Sequence, residues 1–335
     1  MDFRIIGIGE VLWDLLQSGP QLGGAPANFA YHAHALGAEA HVITRVGNDE
    51  RGREILRRFR DMGLQSTTVQ SNAVESDAVQ IIAVQVDDHA PTGTASVTLS
   101  GNGIAHFTIQ EHVAWDYLAA TPDALALVSK ADAICFGSLA QRSEASCRAI
   151  QQLVASSPQH ALRVFDVNLR RPFFARDVIE RSLQLANVLK LNDDELPTLS
   201  AMFDLTGSTE NQIESLAQLF RVQVVALTRG PNGSLLYQES EQDEPCGGGT
   251  PLRQDATQPH HHARWSDCRS RPVKIVDTVG AGDSFTAALV LGLLCKMDLD
   301  EINNISNEVA RYVCSHSGAT PQLPPEFAKV FSGSA

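Results

Sequence analysis

The run Val276-Asp277-Thr278-Val279-Gly280-Ala281-Gly282-Asp283-Ser284-Phe285 has the residue types needed to hold a negative group beside a carboxylate. Gly280 and Gly282 stand just ahead of an apolar stretch in which Phe285, Ala288, Leu289, Gly292 and Leu293 fall on one helical face. The glycines therefore mark a helix start. There the first backbone N–H groups have no intrahelical partner, and the macrodipole adds roughly half a positive charge. Glycine also lets a ligand come close to that backbone. Asp283 follows in the first turn as an acceptor-only carboxylate. A loose entry into a buried helix would use the same residues, so the rest of the chain has to decide between the two.

A second glycine-led helix start lies near the N-terminus, in Gly23-Gly24-Ala25-Pro26-Ala27-Asn28. Bare backbone there would let a polyhydroxylated ligand lie against the chain, with Asn28 both donating and accepting, although a plain turn is the simpler use. Arg45-Val46-Gly47-Asn48-Asp49-Glu50-Arg51-Gly52 repeats the pattern at another strand-to-helix turn. Two nucleotide signatures are missing. Gly7-Ile8-Gly9 begins like a dinucleotide fingerprint, but Leu12 occupies the third glycine position and Asp14 follows where a helix should run. None of the five lysines completes a GxxxxGK[ST] loop, so any triphosphate must be held by other means.

The elements that must position these groups read as alternating strands and helices, the rhythm of an α/β protein with a mainly parallel sheet. Strands are expected near 5–9, 41–46, 131–136, 162–167, 186–191, 222–228 and 273–276. Helices are expected near 24–36, 49–62, 144–155, 193–203, 210–220 and after 280. Between about 67 and 110, Val79–Val86, Ser96–Leu99 and His106–Ile109 read as short strands without helices, an inserted antiparallel sheet. With residues near 10–20 it would form a small lid on one domain spanning 1–335, beyond the carboxyl ends of the main strands. Residues 239–272 are polar and rich in Gly, Pro, Gln and His, and read as a surface excursion. His260, His261 and His262 with Cys246 and Cys268 match no zinc spacing.

A net charge of −13 with no basic run excludes general nucleic-acid or anionic-membrane binding. No stretch of about 20 apolar residues is present, and no basic leader precedes the first strand. Six scattered cysteines without CxxC spacing read as reduced thiols, and the expected location is cytoplasmic.

Taken together, the GGAPAN and VGNDERG region at 23–52 and the DTVGAGDSF run at 277–285 resemble the ribokinase-type (PfkB) family of carbohydrate kinases. The similarity runs end to end. It is closest to the bacterial fructokinase branch through Gly9–Asp14, Phe136–Arg142 and Asp166–Arg170. The resemblance implies a three-layer α/β/α ribokinase-like fold with a small β-sheet lid. It implies transfer of the ATP γ-phosphoryl group to a primary hydroxyl, most simply of fructose to give fructose 6-phosphate. Kinases for 2-keto-3-deoxygluconate, ribose or related sugars, and a non-catalytic sugar sensor, stay open beside it. A dehydrogenase, a third reading, is disfavoured by Leu12.

The same resemblance assigns roles. Asp283 is the catalytic base and Gly280, Ala281 and Gly282 form the anion hole; a carboxylate at a helix start should have a lowered pKa. Asp14, Gly23, Gly24, Asn28, Asn168 and Arg170 are expected around the sugar, with Asn168 as a turn cap and Arg170 as a surface partner of Asp166 being rival readings. Asn192 and Glu195, in an NxxE element, are expected near Mg²⁺ through water, although the same spacing makes a capping box. Thr228, Gly230 and Gly233 match a TxGxxG phosphate loop, and Asn307 and Gly318 fall in the region flanking adenine. ATP and Mg²⁺ are the implied cofactors, a monovalent cation such as K⁺ is a further candidate, and the lid is a candidate homodimer surface.

Overall fold

The sequence from Arg4 to Ile8 is apolar almost throughout, as a strand covered on both faces requires. In the computed structural model, which describes residues 3–16, 19–64, 84–99, 105–239 and 263–332, this run is β1 (Arg4–Ile8), inside a nine-stranded sheet. Strands are numbered along the chain. β4 (Glu39–Gly47) and then β5 (Val84–Asp87) lie on one side of β1. On the other side come β8 (Ala133–Gly137), β9 (Leu162–Asp166), β10 (Val188–Asn192) and β11 (Val224–Thr228), all parallel. β12 (Ser234–Glu239) and β13 (Ala263–Cys268) close that edge antiparallel.

Successive side chains along these strands go to opposite cores, the period-2 rule of a sheet. Val164, Val188, Val224 and Ala226 join one apolar cluster; Phe165, Leu189, Val225 and Leu227 join the other. The first cluster is covered by α1 (Ala25–Ala35), α2 (Glu50–Asp61), α8 (Ala281–Leu294), α9 (Leu299–Cys314) and α10 (Pro325–Ser332). The second is covered by α3 (Pro122–Val128), α4 (Glu144–Ala155), α5 (Arg176–Leu185), α6 (Leu196–Met202) and α7 (Thr209–Phe220). The result is the three-layer α/β/α arrangement.

A second sheet has the order β3-β2-β6-β7, formed by β2 (Leu12–Leu16), β3 (Gly19–Gly23), β6 (Gly93–Leu99) and β7 (Ala105–Ile109). It is mixed and not antiparallel throughout, because β2 and β6 run parallel with Asp14 opposite Ala95. Two further expectations change. Residues 84–87 belong to the edge of the main sheet, where β4 offers an open row of backbone groups and Arg45 reaches Asp87 at 2.8 Å; residues 79–83 lie outside the described part. Residues 273–276 form no strand. The strand of that region is instead β13, drawn from within the polar 239–272 stretch because Tyr237 and Trp265 stack edge-to-face at 5.0 Å across the pair. His260–His262 and Cys246 also lie outside the described residues.

Candidate active site at the carboxyl ends of the strands

The carboxyl ends of β1, β9, β10 and β11 and the start of α8 converge on one side of the main sheet, the usual ligand side of an open α/β sheet. α8 can start where it does because Gly280 adopts φ 78°, a left-handed conformation, and a Cβ there would lie 2.3 Å from the Ala319 carbonyl oxygen. Asp283 follows in the first turn, and its Oδ2 accepts a hydrogen bond of 2.8 Å from Asn28 Nδ2. The glycine turn near the N-terminus and the glycine turn near the C-terminus thus meet at one carboxylate.

Asp283 does not have the lowered pKa expected of a helix start; it is pushed up to about 6. Loss of hydration is the main cause, and the negative charge of Asp166 adds to it, against opposing contributions from Asn28, Lys190 and Arg170. The macrodipole favours the anion, but removing a carboxylate from water outweighs that when a second carboxylate lies nearby.

Among the residues expected around a sugar, Asp14 sits on β2 opposite Gln21, and Gly23 closes β3 opposite Leu12. A Cβ on Gly23 would fall 2.3 Å from Asp14 Oδ2, so the bare glycine makes room for that carboxylate. Gly24, at φ 117°, packs on the Glu10 carbonyl at 2.5 Å from a notional Cβ. Burial raises the Asp14 pKa while Arg170 lowers it, and Arg170 exerts the same pull on Glu10 and Asp283. Arg170 therefore stands among the carboxylates of the site. It is not the partner of Asp166, which pairs with Lys190 at 3.1 Å. Asn168 adopts φ 39°, and Ser138 Oγ holds the neighbouring Val167 carbonyl at 2.7 Å, fixing the turn that presents Arg170.

The NxxE element, expected near the phosphates, shows the reciprocal bonding of a capping box, set in the turn just before α6, whose own N-cap is Glu195. Asn192 Oδ1 accepts from the Asp194 and Glu195 amides at 3.0 and 2.9 Å, and Glu195 Oε2 accepts from the Asn192 amide at 2.9 Å. Glu195 Oε1 accepts from the Leu169 amide at 2.8 Å, so Glu195 also ties down the Arg170 loop. Thr228 ends β11, and Gly230 and Gly233 take φ 52° and 86° in the following turn. Gly233 is required for a local reason, since a Cβ would overlap the Cys268 carbonyl at 1.9 Å. Asn307 is held in the fold by Nδ2 donating to Ser234 Oγ at 2.6 Å and the Asn303 carbonyl at 2.8 Å. Gly318, at φ 83°, donates its amide to Asp277 Oδ2 at 3.1 Å and has open space on its Cα.

Two charged residues escaped the reading of site residues from sequence. Glu10 is 3% exposed; burial pushes its carboxyl up to about 7, and its Oε2 has no partner among the described residues. Lys190 is 6% exposed, with Nζ 3.1 Å from where a Cβ on Gly282 would be. Each interrupts or ends an apolar strand run, Ile5–Gly9 and Val188–Leu191, and a charge in such a run is the available signal. Among the described residues no cluster of three or more His, Cys, Asp or Glu could hold a metal, and no helix is long and apolar enough to cross a membrane.

The pfkB family carbohydrate kinase model matches residues 17–326. The chain belongs to the pfkB family of carbohydrate kinases. Its fold is accordingly the ribokinase-like one. It is 27% identical to the fructokinase of Escherichia coli, over 97% of both chains. An uncharacterized sugar kinase of Pyrococcus horikoshii, solved in complex with ATP, is 25% identical and superposes with a TM-score of 0.72 over 98% of this chain and 99% of its own. The fructokinase of Vibrio cholerae, solved with fructose, ADP and a calcium ion, shares the fold at 21% identity, with a TM-score of 0.71 over 98% of both chains.

Proposed function

We propose that this pfkB kinase transfers the γ-phosphoryl group of ATP to a primary hydroxyl of a neutral sugar, with fructose the substrate and fructose 6-phosphate the product. The observation that carries the reading is the Asn28–Asp283 hydrogen bond of 2.8 Å. It joins the Gly23–Asn28 turn to a carboxylate set beside the amides of a helix start. A sugar lying along the turn between Asp14 and Asn28 would present a hydroxyl to Asp283, and the amides of Gly280, Ala281 and Gly282 would hold the phosphoryl oxygens. Phosphoryl transfer needs this kind of positioning and charge stabilisation more than a strong base. With a pKa of about 6, Asp283 is ionised at neutral pH and still basic enough to take the hydroxyl proton.

Charge argues for a neutral sugar. Glu10, Asp14, Asp166 and Asp283 are countered near the site by Arg170 and Lys190, which leaves little excess positive potential for a sugar acid such as 2-keto-3-deoxygluconate. The support for fructose in particular is the similarity to the Escherichia coli fructokinase. Magnesium would suit the donor set: Glu195 and Asn192, whose oxygens already accept from backbone amides, would hold the ion through its waters, as Mg²⁺ tolerates. The small sheet, which carries Asp14, acts as a lid that excludes water from the transfer, and its edge strands β3 and β7 offer a surface for pairing with a second copy. A coupled assay of ADP release over a panel of neutral and acidic sugars tests the reading; release with sugar acids and none with fructose would reject it.

A further inference from the structure

Helix α1 presents Asn28, Tyr31 and His32 on one face, at the i, i+3 and i+4 positions. Asn28 holds the Asp283 carboxylate at 2.8 Å. One turn further on, His32 Nε2 lies 2.9 Å from the Ala319 carbonyl oxygen, and the Tyr31 hydroxyl donates to the Pro321 carbonyl at 3.3 Å. Ala319 is the residue whose main chain Gly280 packs against, at 2.3 Å from a notional Cβ, and its neighbour Gly318 donates to Asp277. One short helix therefore grips both the catalytic carboxylate and the wall on which the first residue of the amide cradle is seated.

His32 is fully buried, and a carbonyl can only accept, so Nε2 carries the proton. Nδ1 is left without a partner among the described residues. Burial lowers the ring's pKa to about 4, so it is neutral in the working range. An unpaired buried nitrogen is unfavourable, and an apolar residue of similar size would avoid it. Among the described residues, the hydrogen bond that offsets it is the one to Ala319.

We propose that His32 is a positioning residue for phosphoryl transfer: through α1 it fixes the Gly280 end of the amide cradle relative to Asp283, and it links occupancy of the sugar turn to nucleotide affinity. This rests on the kinase reading above. A sugar on the Gly23–Asn28 turn steadies α1, and the His32–Ala319 bond passes that order to the segment beside the cradle. Small misplacements of such groups lower rates steeply.

The test compares wild type, His32→Leu and His32→Gln, the last with an amide that can donate again to Ala319. Amide hydrogen exchange over residues 314–321 should quicken in His32→Leu and return toward wild type in His32→Gln, with no loss of global melting temperature. ADP affinity by calorimetry should tighten with fructose in wild type, and that tightening should shrink at least several-fold in His32→Leu. Turnover should fall roughly 10- to 100-fold with the sugar KM little changed. Should His32→Leu not fold, His32→Asn, too short to reach Ala319, takes its place. Unchanged exchange, or altered exchange with wild-type turnover and ADP binding, overturns the proposal. Failure of wild type to phosphorylate any sugar would instead refute the kinase reading, and exchange and ADP affinity would still decide for or against His32.

Discussion

Two glycine turns, Gly23–Asn28 and Gly47–Gly52, look alike in sequence, and both start a helix after a strand. Their polar groups go to different places. In the first, Asn28 reaches across the fold to Asp283, and Gly23 leaves room for the Asp14 carboxylate. In the second, the groups are used up locally. Asp49 caps α2 through the Gly52 amide at 2.8 Å and takes both the amide and the hydroxyl of Thr92, at 2.8 and 2.7 Å. A Cβ on Gly52 would meet the Gly47 carbonyl at 2.1 Å. The second turn fastens the root of the small sheet to the main one, while the first opens onto the Asp14 and Asp283 carboxylates, where the sugar is proposed to lie. Where a motif's donors and acceptors end up separates a binding turn from a structural one, and residue type alone does not.

This contrast can be broken by substitution. The largest effect should come from Asp283→Asn, with turnover down by roughly 10²–10⁴-fold and sugar affinity by calorimetry near wild type; an active Asn variant would remove the role given to Asp283. Next, kcat should fall about tenfold per pH unit below about 6, because protonation of Asp283 removes the base. The Asn28 bond lowers the Asp283 pKa, so Asn28→Ala should move this acid limb to higher pH as well as raising the sugar KM, with little change in melting temperature. A pH–rate profile that does not move would place Asn28 outside the site.

In the second turn the pattern should invert. Asp49→Ala should cost about 1–2 kcal/mol of stability, read by denaturant unfolding, and leave kcat nearly intact. Another stability effect concerns Glu10, and it leaves the two turns untouched. Its native pKa of about 7 exceeds the value of 4.5 for a free side chain, so the native state holds more protons between those pH values and loses stability as pH rises through them. Glu10→Gln should therefore be the more stable form at pH 8, by about 3 kcal/mol, and the gap should close by pH 4. An equal gap at both pH values would mean that burial of the charge is not the cause.

Much of the architecture could be read from periodicity alone. α4 and α7 fall within a residue of where their apolar spacing places them, because Ile150, Leu153 and Val154, and Ile213, Leu216 and Ala217, repeat with the helical turn. Sheet membership is less legible. Val84–Asp87 is a short β-rich run that fits either sheet, and only the open edge of β4 decides. β13 was hidden in a polar stretch, since an edge strand needs only one apolar face, here Trp265 on Tyr237. In the site, the Asp283 motif was legible, but its pKa was not, because the burial that raises it is tertiary and the charges that act on it, Asp166 raising and Lys190 lowering, come from strands more than 90 residues away. The double use of Asn192 and Glu195 as a capping box was visible in their spacing; the grip of Glu195 on Leu169 was not.

The most direct measurement is phosphorus NMR of the products formed by the wild-type chain with ATP, Mg²⁺ and fructose. The account predicts ADP and a sugar phosphomonoester in equal amounts, with the phosphate on O6. ADP without a sugar ester, or an ester at another carbon, would contradict it.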